Sequence, residues 1–102
     1  MLWRAFKHWA SRRIDRHVAE NWRRGDLEAT ALLDEVPTAV RPELADLLAT
    51  FRSYTERADA PSPAEVRFQL ARLHELTATL DRDIAIRIAR LPAVDAAEEY
   101  LK

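Results

Sequence analysis

Residues 62–91 read SPAEVRFQLARLHELTATLDRDIAIRIARL, and this stretch decides the fold class. Ser62, Pro63 and Glu65 make a helix start. The hydroxyl can cap the first free amides, the proline suits the first helical position, and the carboxylate stands three residues on. From there Val66, Leu70, Leu73, Thr77, Leu80, Ile84 and Leu91 fall at alternating four- and three-residue steps, interrupted only by Arg87 where an apolar residue was due. Such a seam, about three heptads long, predicts one long helix over about 63–91. Leu76 and Ile88 widen the seam to the stripe of a bundle helix. Pro92 stops it, and a short tail helix over 93–101 follows, with Val94, Ala97, Tyr100 and Leu101 on its apolar side.

Working outward, the loop Asp59-Ala60-Pro61-Ser62 separates this helix from an earlier one that begins at Pro42. There Leu44, Leu47, Leu48, Phe51 and Tyr54 share one side, so 42–91 reads as a helical hairpin. Pro37 closes a short helix over 26–36, for which Asp26 is the expected cap and Ala29, Leu32, Leu33 and Val36 the inward face. Before it, Leu2, Trp3, Phe6, Trp9, Ala10 and Ile14 recur at helical spacing, predicting a first helix over 2–24 that stops at Gly25. Helices joined by short loops pack as neighbours. The expectation is an all-α single domain over 1–102, a bundle of four to five helices. Its core should hold Leu44, Leu48, Phe51, Leu70, Leu73, Leu80 and Ile84.

Composition agrees and excludes much else. The 102 residues include one glycine and no cysteine. That removes disulfide frameworks, thiolate metal sites and Gly-rich phosphate loops. With 48% hydrophobic residues, a disordered chain is also excluded. No run resembles a signal peptide or reaches the roughly 18 apolar residues of a membrane-spanning helix, so the expected location is the cytoplasm.

The net charge of −1 hides a division. Residues 1–24 hold seven basic groups against Asp15 and Glu20, a net of +5, together with all three tryptophans, Trp3, Trp9 and Trp22. Residues 25–102 carry a net of −6. A basic, aromatic helix beside an acidic remainder marks where a partner would bind.

Catalytic and metal chemistry find little support. His17 and Glu20 could share one ion, but a pair is short of the three protein ligands zinc needs. His8 and His74 have no partner pattern, and Asp81 and Asp83 point about 200° apart on a helix. No Glu-x-x-His motif occurs. We therefore expect no enzyme, no cofactor, no metal and no small-molecule substrate. The expected function is a non-enzymatic protein–protein interaction module (a small regulator, adaptor or assembly subunit) contacting its partner through Trp3, Trp9, Arg12, Arg13 and Arg16. Self-association as a homo-oligomer through the heptad seam is a further expectation, with Arg87 either ending that contact or partnered within it. The alternative is a polyanion binder, taking an anionic membrane surface or nucleic acid through the first helix. The layout of helix, brief helix, proline stop and two longer helices is loosely similar to the sigma-binding domain of bacterial anti-sigma factors. That likeness is one of layout alone and assigns no site residue.

Overall fold

A computed structural model of the chain describes residues 16–102, with side chains from residue 20 onward. Trp3, Trp9, Arg12 and Arg13 lie outside the described residues, as does the 2–15 part of the expected first helix. The described residues form five helices and no strand: α1 (Arg16–Glu35), α2 (Arg41–Tyr54), α3 (Pro63–Thr77), α4 (Arg82–Ala89) and α5 (Pro92–Tyr100).

The expected stop at Gly25, with a new helix from Asp26, does not occur: α1 runs unbroken through Gly25, whose φ is not positive. The glycine serves close packing instead. A Cβ at this position would fall 2.8 Å from Pro92 Cδ and 2.9 Å from Cγ, so only a residue without a side chain lets α1 lie against the start of α5. Asp26, freed from capping, pairs with Arg52 of α2 at 2.9 Å. At its far end α1 stops before Pro37. There the Arg41 guanidinium donates to the carbonyl of Val36 at 3.0 Å, satisfying an end carbonyl that has no helical partner.

The expected long heptad helix over 63–91 is instead two helices joined by a tight turn. Ser62 caps α3 as its sequence implies, accepting from the Glu65 amide at 3.1 Å. Past Thr77 the backbone bonds shorten from four-residue to three-residue spacing, at Thr79 to Leu76 and Leu80 to Thr77. The Thr79 hydroxyl bonds back to the Leu76 carbonyl at 2.7 Å, and the Asp81 carboxylate accepts from the Asp83 amide at 2.9 Å, capping α4 afresh. Local side-chain bonds thus outcompete the continued helix. The turn also re-phases the seam: Ile84, Ile88 and Leu91 turn inward, while Arg87 leaves the apolar stripe altogether.

The core is one cluster. Leu44, Leu48, Phe51, Leu70 and Leu73 are buried as expected, and Leu80 and Ile84 are half-buried against them. Phe51 and Tyr54 meet edge to face, with ring centroids 6.0 Å apart. Val66, Leu70 and Leu73, the first half of the seam expected to invite a second copy, are covered by the chain's own helices. The expected tail is no appendage. Short as it is, α5 packs against all four other helices, with Val94 and Ala97 buried at the centre.

Candidate functional site

The crossing of α1 over the start of α5 creates recesses on both sides of the Gly25–Pro92 contact. On one side a small space of about 30 Å³ lies beside Trp22, Leu48 and Arg52. The Arg52 guanidinium stands 5.2 Å from the Trp22 ring centre and also reaches Asp26, tying α2 to α1. This recess is a packing seam.

The other side is larger and differently lined. A cleft of about 290 Å³ opens between α1 and the end of α4, bordered by Asn21, Arg24, Glu28, Arg87, Arg90 and the first residues of α5. Three guanidiniums and a single carboxylate supply its charge. Helical spacing explains the convergence: Asn21, Arg24 and Glu28 are three and four residues apart on α1, and Arg87 and Arg90 are three apart at the end of α4. The helix crossing then turns these two faces toward one another.

The arginines differ in state. Arg87 is committed: its Nη2 donates to Glu28 Oε1 at 3.0 Å and its Nη1 to Glu35 Oε2 at 3.3 Å. The hydrogen bond it donates to Glu28, with the charges of Glu35, Glu28 and Asp83 behind it, raises its pKa above the ordinary arginine value, so it is always charged. Arg24 and Arg90 are exposed, and their guanidiniums have no ion-pair or hydrogen-bond partner among the described residues. The cleft therefore presents two free guanidiniums from two helices beside a third held rigid by its own carboxylates. Such forks match carboxylate and phosphate oxygens.

Of the residues expected to bind a partner, only Arg16 lies in the described part, as the first residue of α1. Trp22, from the same basic segment, is half-buried against Arg52. His74 is exposed, with Nε2 3.6 Å from Glu98. Among the described residues no group of three or more acidic or histidine side chains is placed to hold a metal ion, and no helix is long and apolar enough to cross a membrane. Neither Arg90 nor Arg24 stands out in the sequence as a binding residue, Arg24 being one of the seven basic groups of residues 1–24. The available signal was the spacing of Arg87 and Arg90 just before Pro92. Comparison with known proteins finds no matching family model, no matching curated protein and no matching solved structure.

Proposed function

We propose that this chain is a non-enzymatic protein-interaction module whose cleft at Arg24 and Arg90 receives an acidic segment of a partner protein. One observation carries this reading: two unpaired guanidiniums from different helices border the same 290 Å³ cleft. Arginine is favoured at interfaces because its fork binds carboxylates bidentately and its stem packs against apolar surface. The basic run that precedes the cleft in sequence, with Trp3, Trp9, Arg12, Arg13 and Arg16, has the same charge and is proposed as a further partner contact. The alternative, an extended polyanion such as DNA or an anionic membrane, must meet the net charge of −6 on residues 25–102. A short acidic segment meets only the cleft.

The test is an NMR titration of the isotope-labelled full chain with a glutamate-rich peptide, with duplex DNA and with anionic vesicles, over a salt series. The expected result is peptide-induced shifts at the amides of Arg24, Gly25, Arg90 and Leu91. These should weaken with salt and vanish in the Arg24→Glu/Arg90→Glu chain. No shifts at these amides, or shifts that persist in the charge-reversed chain, would overturn the proposal. Tighter binding to DNA or vesicles than to the peptide would put the polyanion reading in its place.

A further inference from the structure

The geometry points to a phosphate monoester, carried on a phosphorylated side chain of the partner, as the group the cleft is built to hold. This rests on the acidic-partner reading above and deepens it, because carboxylates and phosphate esters ask for different sites. A carboxylate offers two oxygens in one plane, which a single guanidinium fork satisfies. A phosphate monoester offers three acceptor oxygens arranged around phosphorus and can be gripped from two directions at once.

The cleft supplies two directions. Arg24 comes from α1 and Arg90 from the end of α4, and neither guanidinium has a partner among the described residues. The lining holds three guanidiniums against the carboxylate of Glu28, with Glu35 reaching Arg87 from outside it. Arg87 with Glu28 and Glu35 carries a net charge of −1, so the surplus is one positive charge, and the groups left to meet a dianion are the guanidiniums of Arg24 and Arg90. The Arg87–Glu28–Glu35 group fixes one wall in advance, so less ordering is needed on binding. The Asn21 amide adds a neutral donor at the rim.

Leu91 and Pro92 add apolar surface to the same cleft. Ile86, 40% exposed and one turn before Arg90, provides an apolar neighbour suited to the residues flanking a phosphorylated side chain. A lipid headgroup presents the same chemistry but brings an extended anionic surface against the acidic body of the protein. A peptide is favoured on that ground.

Three peptides, identical except for serine, glutamate or phosphoserine at one central position of an acidic sequence, test the inference against the full chain by calorimetry. Vesicles containing a phosphoinositide form a fourth arm. The phosphoserine peptide is expected to bind at least tenfold more tightly than the glutamate peptide. Arg24→Gln and Arg90→Gln, both at exposed positions, should each bring that preference to within about twofold while circular dichroism stays unchanged. If the glutamate and phosphoserine peptides bind equally, the phosphate assignment falls and the acidic-partner reading stands. If no peptide binds, both fall. Vesicles bound more tightly than the phosphoserine peptide, through the same two arginines, would overturn the peptide in favour of a lipid.

Discussion

The hydroxyl of Tyr100, at the end of α5, donates a 2.7 Å hydrogen bond to the carbonyl of Pro61, a fully buried residue in the loop before α3. The bond fastens the last helix to the connection between α2 and α3, two parts of the chain 39 residues apart. Removing the hydroxyl leaves that carbonyl without this donor in a place water reaches poorly. Tyr100→Phe should lower unfolding stability by about 1–2 kcal/mol, read by urea denaturation. An unchanged midpoint would mean the bond contributes nothing.

The same variant isolates Tyr54, the only other tyrosine. Burial pushes the Tyr54 phenol well above its ordinary value of 10.0; the nearby Glu65 carboxylate adds to the shift and Arg57 opposes it. A pKa raised on folding gives stability that is complete below the unfolded value and is lost as pH climbs toward the folded one. In the Tyr100→Phe chain the tyrosinate absorbance should therefore lag behind that of the urea-unfolded chain, rising only as alkali unfolds the protein. Coincident curves with a midpoint near pH 10.0 would contradict the buried phenol.

The turn between α3 and α4 gives a prediction whose sign decides. Asp81 caps α4 by accepting from the Asp83 amide. Loss of such a cap costs about 1 kcal/mol, so Asp81→Ala should destabilise by that much. In an unbroken helix over 63–91 the same change would swap a poor helix former for the best one and stabilise the protein. Thermal unfolding of the two chains reads the sign directly.

Sequence reading reached furthest where information is local. The inward stripe of α2 from Leu44 to Tyr54 follows from three- and four-residue spacing, and the α3 start follows from Ser62, Pro63 and Glu65. Both are settled within a few residues of chain. The α3–α4 turn was hidden because Leu80 and Ile84 keep the heptad spacing on either side of it. The competing bonds of Thr79 and Asp81 leave no mark on an apolar pattern. Gly25 was ambiguous in principle: a glycine permits both a left-handed stop and a close approach, and the choice depends on Pro92, 67 positions later in the numbering. The cleft was illegible for the same reason, since Arg24 and Arg90 meet only after α1 crosses α5.

Both the continuity of α1 and the existence of the arginine cleft depend on that crossing. In a helix interior, glycine to alanine gains about 1 kcal/mol when there is room. Here the added carbon would meet the Pro92 ring at 2.8 Å. A rigid ring cannot swing aside, so Gly25→Ala should instead cost about 1–3 kcal/mol through forced displacement of the helices.

The decisive measurement is a double-mutant cycle: unfolding free energies of the parent chain, Gly25→Ala, Pro92→Ala and the double variant. Removing the ring should abolish the clash, so Gly25→Ala should destabilise the parent yet become neutral or stabilising, by up to about 1 kcal/mol, in the Pro92→Ala background. An equal loss in both backgrounds, as a helix stop at Gly25 would give, or a gain in the parent chain, would contradict the close crossing of α1 over Pro92.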